Sequence, residues 1–147
     1  MAKRMPKNEV TLAVRADVEA VAQVRGFIET FAAAHEVATA DLDRILIAVE
    51  ELVTNIARYG YAPGDAPGSA RVTLRLDGNR FTIEIVDDSR PFDPFSVADP
   101  DLDAPIEDRR IGGLGLYIVK ALMDRTRYRR DGSHNVVEIS RPVALGK

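Results

Sequence analysis

The chain of 147 residues contains no cysteine, no tryptophan and only two histidines. The lack of cysteine excludes disulfide bonds and thiolate metal sites. The two histidines, His35 and His134, stand far apart in the sequence, which argues against a histidine metal site or a Ser–His–Asp triad. Candidate chemistry is therefore sought among the carboxylates, amides and glycines.

Long apolar runs are also absent. No run approaches the ~20 residues needed to span a bilayer, and no apolar segment follows the basic residues 1–8 as it would in a signal peptide. The net charge of −3 predicts no strong attraction to nucleic acid. The length fits one domain over residues 1–147 with a substantial core. We therefore expect a single-domain cytoplasmic protein without direct nucleic-acid or membrane partners.

The stretch 41–61 has apolar residues at three- and four-residue steps, the pattern of one helix face. Thr39 or Asp41 is suited to cap its start, and Gly60 is suited to end it. Glu51 and Asn55 lie off the apolar face, one helical turn apart. Asn is unfavourable inside a helix because its side chain competes for backbone groups. The pair is either a solvated surface pair or a site for magnesium and phosphate chemistry.

Residues 71–76 and 80–86 alternate in hydrophobicity on either side of the turn sequence DGN, which is typical of a β-hairpin. Period-two counting places Asp87 at the end of the buried row of the second strand and Asp88 on the opposite side. A carboxylate at this point pairs with a group in the core or receives a ligand. The alternative is that it begins a turn, since Asp-Asp-Ser is also good turn chemistry.

Residues 91–110 form a polar, acidic, proline-containing segment without a clear period. A loop of this length in a compact domain is often functional, for instance as a lid, and otherwise is an ordinary loop.

The sequence IGGLGL at 111–116 leads into an apolar helical pattern. A glycine-rich turn at a helix N-terminus binds phosphate because the backbone can approach closely and the free amides favour an anion. Glycines also serve tight packing. The segment is not a P-loop, because no G-K-[ST] follows, and it is not a dinucleotide fingerprint, because no strand precedes it.

A first strand is predicted over 9–16, a first helix over 17–35 and a closing hairpin over 125–140. The predicted order is β-α-α-β-β-loop-α-β-β. Helices and antiparallel hairpins in this order favour a two-layer α/β (α+β) sandwich with the helices on one face of the sheet.

Three segments resemble, in the same order, the N, G1 and G2 boxes of the GHKL ATPase/kinase superfamily. They are AVEELVTNIARYGY, VDDSRPFDP and GGLGLYIVKALMD. The match is closer to the bacterial anti-sigma factor serine kinases, and it extends over nearly the whole chain. The resemblance implies the Bergerat ATP-binding fold, with a mixed or antiparallel sheet.

The resemblance also implies a role for each matching residue. Glu51 matches the catalytic acidic residue, Asn55 the Mg²⁺-coordinating asparagine, and Asp87 the aspartate that binds the adenine amino group. The other implied ATP-binding residues are Ser89, Arg109, Arg110, Gly112, Gly113, Leu114 and Gly115.

The chain departs from the family pattern at two positions. The G1 box is D-x-G, and Ser89 stands in place of the glycine. If that position requires positive φ or a close approach of adenine, Ser89 lowers the affinity for ATP. Tyr59 stands where the family often has histidine.

The implied function is that of an ATP- and Mg²⁺-dependent serine/threonine-protein kinase acting as an anti-sigma factor. It would bind a sigma factor, phosphorylate a serine of a STAS-type antagonist and form a homodimer. One alternative is a nucleotide-gated protein-binding module without kinase activity. Another is the catalytic fragment of a sensor histidine kinase, which the lack of a dimerisation hairpin disfavours.

Overall fold

The computed structural model describes residues 8–98 and 113–146. Within these ranges, five strands form one sheet in the order β1-β2-β3-β5-β4, packed against three α-helices. The elements are β1 (Glu9–Arg15), α1 (Ala20–Ala34), α2 (Thr39–Tyr59), β2 (Ser69–Asp77), β3 (Arg80–Asp87), a 3₁₀ turn (Pro94–Ser96), α3 (Gly113–Leu122), β4 (Arg125–Asp131) and β5 (His134–Pro142). In this part of the chain, no helix combines the length and apolar character required to cross a membrane.

Every neighbouring pair of strands runs antiparallel, so the sheet is antiparallel and not mixed. Alternation gives it one buried and one open face. On β3 the buried row of Phe81, Ile83 and Ile85 is fully enclosed and Asp87 continues it. Glu84 faces the other way, directly opposite Glu138 of β5. The predicted two-layer sandwich with helices on one sheet face is confirmed.

Helix α2 lies between the other two helices and contacts both. Its apolar stripe packs into the core with buried residues of α1 and α3. The buried helical residues include Val24, Ile28 and Phe31 of α1, Ile45, Val49, Leu52 and Val53 of α2, and Leu116 and Val119 of α3. Because α2 is held from two sides and by the sheet, the residues beside its apolar stripe have a defined position.

The start of α2 differs from the prediction. The helix begins at Thr39, and the residue before it makes no side-chain capping bond. The Asp41 carboxylate does not cap the helix but accepts hydrogen bonds from Arg141 Nη2 at 3.1 Å and from the Ala144 amide at 2.7 Å. Arg141 also donates to the Leu122 carbonyl at 2.8 Å. This ion pair therefore ties the start of α2, the end of α3 and the last strand together.

Gly60 ends α2, as predicted, but not in the left-handed conformation, since its φ is −75°. Space explains the glycine: a Cβ here would lie 2.7 Å from Ser89 Cβ and 2.6 Å from the Ile56 carbonyl oxygen. Arg90 covers the same helix end by donating from Nε and Nη2 to the Tyr59 carbonyl, at 2.9 and 2.5 Å. Residues that follow β3 thus fix the C-terminal end of α2.

Candidate functional site

Five of the predicted site residues come together where the second half of α2 meets the end of β3 and the start of α3. Asn55, Asp87 and Ser89 line one cleft. Glu51 accepts a hydrogen bond from Asn55, and Gly115 lies against the Glu51 carboxylate. These positions are 64 residues apart in the chain at the extremes, and the fold makes them neighbours.

The other predicted binding residues are placed only in part. Gly113 and Leu114 are the first residues of α3. Arg109, Arg110 and Gly112 lie outside the described residues, as does most of the predicted lid.

The walls of the cleft are largely apolar, and its buried polar groups converge at one end. The apolar wall residues are Leu52, Ile56, Ile85, Phe92, Pro94 and Val137. Asp87 supplies a carboxylate that is only 2% exposed. Apolar walls with a few fixed polar groups are the usual composition of a small-molecule site. A carboxylate in such walls suits a heteroaromatic ring that carries an amino group.

The Asp87 carboxylate is held at one oxygen. Oδ1 accepts hydrogen bonds from the Ser89 amide at 3.0 Å, from Ser89 Oγ and from Asn135 Nδ2 at 3.2 Å. Among residues 8–98 and 113–146, no donor reaches Oδ2. Asp87 therefore begins a turn, as one alternative predicted, and also keeps one oxygen for another donor.

Asn135 was not identified from the sequence, where it reads as the first residue of a strand after a turn. It is 3% exposed and lies directly opposite Asp87 in the β3–β5 pair. Period-two counting in β5 places it in the same row as the buried Val137 and Ile139. A polar amide in a row of apolar residues is the sequence feature that indicates a special role for Asn135.

The backbone conformation at position 89 does not require a glycine. Among the described non-glycine residues only Glu36 has a positive φ, so the Ser89 backbone is unstrained. Its Cβ occupies the space that Gly60 leaves open, and its hydroxyl donates to Asp87. Backbone strain therefore gives no reason for a glycine at position 89, and the distinguishing group at this position is the serine hydroxyl.

The Glu51–Asn55 pair is half-buried next to the first turn of α3, and not on an open surface. Asn55 Nδ2 donates to Glu51 Oε2 at 2.9 Å, which directs the asparagine oxygen away from the glutamate. A Cβ on Gly115 would overlap the Glu51 carboxylate. The glycine thus permits close contact, and a negative charge beside the first turn of a helix is favourable.

The Asn55 oxygen is a ligand of the type that Mg²⁺ prefers. No cluster of three or more histidine, aspartate or glutamate side chains able to hold a metal occurs in the described part of the chain. This donor set fits an ion that takes one or two protein ligands and completes its shell with phosphate oxygens and water.

Asp88 lies on the opposite side of the strand from Asp87, as alternation predicted. Its Oδ1 accepts from Tyr61 Oη at 2.6 Å and from the Ser69 amide at 3.1 Å. The hydrogen bond from Tyr61 lowers the pKa of Asp88 below its ordinary value of 3.8. Burial, followed by the bond to Asp88, raises the pKa of Tyr61. This contact closes the proline- and glycine-rich loop after α2 against the end of β3.

Comparison of the chain with models of protein families finds one family that matches most of its length. A model of the histidine kinase-like ATPase domain matches residues 14–141. The chain belongs to this family. The resemblance to GHKL ATPases seen in the three boxes is therefore confirmed at the level of the domain.

Curated relatives with a similar sequence are protein kinases. The chain is 33% identical over 95 residues to the serine-protein kinase RsbW of Halalkalibacterium halodurans, covering 62% of this chain and 57% of that protein. It is 29% identical over 89 residues to the serine/threonine-protein kinase BtrW of Bordetella bronchiseptica, covering 60% and 62%. A match to RsbW of Bacillus thuringiensis, 29% identical over 143 residues, covers 93% and 86%. The chain thus spans about three fifths of the first two relatives and most of the third.

A solved structure supports the fold. The crystal structure of the RsbU and RsbW domains of Rv1364c from Mycobacterium tuberculosis aligns with a TM-score of 0.64 and 18% identity. The alignment covers 98% of this chain and 36% of that one. The architecture described above is therefore that of a known domain.

We predict that Tyr61→Phe lowers the free energy of unfolding at neutral pH by about 1 kcal/mol or less, because Asp88 is largely exposed. A lowered folded-state pKa stabilises the protein above the unfolded value of 3.8, and this stabilisation is lost as the pH falls through the folded value. The raised pKa of Tyr61 stabilises the folded protein at pH values below the ordinary value of 10.0. This stabilisation is lost as the pH rises through the folded value.

Urea unfolding should therefore show the difference between Tyr61→Phe and the unmodified protein at neutral pH and a smaller difference at about pH 3. Tyr59→Phe is the matched control, because Tyr59 is 48% exposed. A difference that stays constant from neutral to acid pH would contradict the assignment of the Asp88 pKa to Tyr61.

The contact of Gly115 with Glu51 gives a second prediction. Gly→Ala inside a helix usually stabilises by ~0.5–1 kcal/mol. Gly26 of α1 has open space around its Cβ position, so Gly26→Ala should show this gain. Gly115→Ala should not, since its methyl group must displace the Glu51 carboxylate from Asn55. Chemical denaturation of both variants measures the two values, and equal gains would mean that α3 does not press on Glu51.

Proposed function

We propose that this protein is an ATP-dependent serine/threonine-protein kinase that acts as an anti-sigma factor in the cytoplasm. One observation carries the proposal. The half-buried Glu51–Asn55 pair lies beside a largely apolar cleft, in which Oδ2 of Asp87 receives no donor from the described residues. Two carboxylates and an amide oxygen thus lie close together, and they are the groups that adenine binding, magnesium binding and proton transfer would require. Membership in the histidine kinase-like ATPase family and similarity to named serine kinases support it.

The residues present fit ATP and Mg²⁺ as cofactors. Asp87 Oδ2 would accept from the adenine amino group, and the apolar walls would cover the ring. The Asn55 oxygen would hold the magnesium ion. The first amides of α3, at Gly113 and Gly115, would face the phosphates, because an N-terminal helical turn favours an anion. From the resemblance, we also assign Arg109, Arg110, Gly112 and Leu114 to the proposed phosphate side.

ATP supplies the phosphoryl group, and Mg²⁺ neutralises charge on its phosphates. The chain contributes position and one proton acceptor. Glu51 would take the proton from the serine hydroxyl of a partner. The hydrogen bond from Asn55 Nδ2 at 2.9 Å holds Oε2 of Glu51, so Oε1 would be the oxygen that accepts this proton. The contact with Gly115 keeps the same carboxylate next to the phosphate-binding turn. Catalysis then rests mainly on alignment and charge stabilisation.

The proposed partners are a sigma factor, which the protein holds inactive, and a STAS-type antagonist, which it phosphorylates on serine. We also propose that a homodimer is the functional unit. Nucleotide state sets which partner is preferred, and it does so only if ATP and ADP change the relative affinities. The predicted lid, residues 96–110, is the proposed coupling element.

Ser89 favours one alternative function, a nucleotide-gated binding module without phosphoryl transfer. Its hydroxyl donates to Oδ1 of the carboxylate that would receive adenine, a hydrogen bond that the glycine of the family motif does not make. A module of this kind would still change its partner with nucleotide but would leave the serine of the antagonist unmodified.

Glu51→Gln should keep Mg²⁺-dependent ATP binding and lower phosphoryl transfer by a factor of about 10²–10⁴, because a general base is removed and its shape is kept. Glu50→Gln is the matched control, since Glu50 pairs with Arg25 at 2.6 Å on the other side of α2. Calorimetry measures binding, and transfer of labelled phosphate to a STAS protein measures the chemistry. Asn55→Ala should remove the magnesium dependence of binding.

Two results would count against this mechanism. If Glu51→Gln transfers phosphate at the unmodified rate, Glu51 is not the base. If the unmodified protein binds ATP but transfers nothing to any STAS partner, the binding-module alternative is correct.

The partner assignment predicts that affinity capture recovers a sigma factor and a STAS protein, with the ratio changed between ATP and ADP. Mass spectrometry of the captured STAS protein should show a phosphoserine in the presence of ATP and none in the presence of ADP. Asn55→Ala is the control variant, because without its magnesium ligand the captured STAS protein should carry no phosphoserine. If neither a sigma factor nor a STAS protein is recovered from cells that express both, the anti-sigma assignment is wrong. The protein is then a nucleotide-binding domain with another role.

A further inference from the structure

We propose that Asn135 is a positioning residue that sets the base selectivity of the cleft by holding the Asp87 carboxylate in one orientation. The inference rests on the proposed ATP-binding function and adds a residue that the sequence motifs do not contain. It assigns Asn135 no contact with the base. Its effect passes through Asp87.

The orientation of the Asn135 amide follows from its neighbours. On one side its oxygen faces Arg130 Nη1 at 3.1 Å, the Phe92 amide at 3.3 Å and Tyr128 Oη at 2.7 Å. A guanidinium and a backbone amide can only donate, so the Asn135 atom that faces them must be the oxygen. The amino group is thereby turned to the other side, toward Asp87.

On that side Nδ2 meets acceptors. The Arg90 carbonyl lies at 2.8 Å, and Asp87 Oδ1 and Ser89 Oγ both lie at 3.2 Å. Ser89 Oγ itself donates to Asp87 Oδ1. The amino group therefore closes a ring of hydrogen bonds around one oxygen of the buried carboxylate and the turn that follows it.

This ring distinguishes the two carboxylate oxygens. Oδ1 has three donors from the protein, whereas among the described residues none reaches Oδ2. The two oxygens are chemically equivalent, so a half-turn about the χ2 angle only exchanges them, whereas any smaller rotation breaks these three bonds. The plane of the carboxylate is therefore fixed, and one oxygen stays available to a ligand in the cleft that Asp87 lines. A carboxylate oxygen accepts from an amino group and repels an oxo group at the same place on a purine. Base selectivity thus depends on how firmly Oδ1 is held.

The β4–β5 hairpin supplies the support behind Asn135. Tyr128 and Arg130 both lie on β4, and Arg130 Nη1 also donates to the Ser89 carbonyl at 2.9 Å. The same hairpin strand therefore fixes the amide orientation and the turn after Asp87. Tyr128→Phe removes one of these donors and leaves the aromatic ring packed against the core.

Asn135→Asp gives the sharpest test, because it keeps the shape and the oxygen that faces Tyr128 and Arg130. It replaces only the amino group, and it places an oxygen against Asp87 Oδ1 and the Arg90 carbonyl. Asn79→Asp in the exposed β2–β3 turn is the matched control. The measured quantities are the dissociation constants for three probes with Mg²⁺: ATP, inosine triphosphate, which has an oxo group in place of the amino group, and purine riboside triphosphate, which has neither.

The unmodified protein and Asn79→Asp should bind ATP about 10–100 times more tightly than purine riboside triphosphate, as for one hydrogen bond to a charged group. In Asn135→Asp this ratio should fall close to one, and the discrimination against inosine triphosphate should shrink. Tyr128→Phe should give an intermediate ratio. It also decides the question if Asn135→Asp does not fold, which a thermal melt reveals.

Two outcomes overturn the inference in distinguishable ways. If the unmodified protein discriminates and the variants lose affinity equally for all three probes, Asn135 only supports the fold, and the proposed function stands. If the unmodified protein binds none of the probes, the inference and the proposed function both fail.

Discussion

A carboxylate withdrawn from water loses several kcal/mol of hydration unless donors replace the water. Asp87, at 2% exposure, imposes this requirement on everything around it. The donors come from the following turn and from β5, through Ser89 and Asn135. Asn135 in turn must be oriented by β4. The need to satisfy one buried charge therefore determines the conformation of the turn after β3 and the packing of the last hairpin against it.

The same turn carries the effect to α2. Arg90 follows directly and donates to the last carbonyl of the helix, while Ser89 packs where Gly60 has no side chain. Glu51 and Asn55 lie one to two turns before this end, so their distance from Asp87 is set by the contact between the turn and the helix. The adenine side and the metal side of the proposed site are thus parts of one rigid arrangement. A change at Gly60 would be expected to disturb both.

Local patterns predicted those parts of the molecule that local physics determines. The two hairpin turns have glycines at positive φ, 62° at Gly78 and 58° at Gly132, which the turn sequences indicated. Alternation placed Asp87 and Asp88 on opposite sides of β3, and helical spacing placed Glu51 under Asn55. In each case the interacting residues are at most a few positions apart, so propensity and periodicity contain the answer.

The residues that sequence reasoning missed depend on contacts between distant segments. Asn135 meets Asp87 across 48 positions, and this contact exists only because β5 pairs with β3 as well as with β4. Asp41 looked like a helix cap, because nothing local reveals that Arg141 lies 100 positions ahead to compete for it. Which residues pair with a buried charge depends on which strands lie next to each other in the sheet. Such choices are tertiary, and a single sequence read locally does not contain them.

Ser89 and Gly60 together show how a departure from a family motif is accommodated. The motif has a glycine where this chain has serine, and a side chain added there needs room. The room is found at Gly60, whose own Cβ would lie 2.7 Å from that of Ser89. Only one of the two positions can carry a side chain without displacing the helix end. The physical constraint is therefore the small combined volume of the pair, and placing the side chain on residue 89 adds a hydroxyl donor for the buried Asp87 carboxylate.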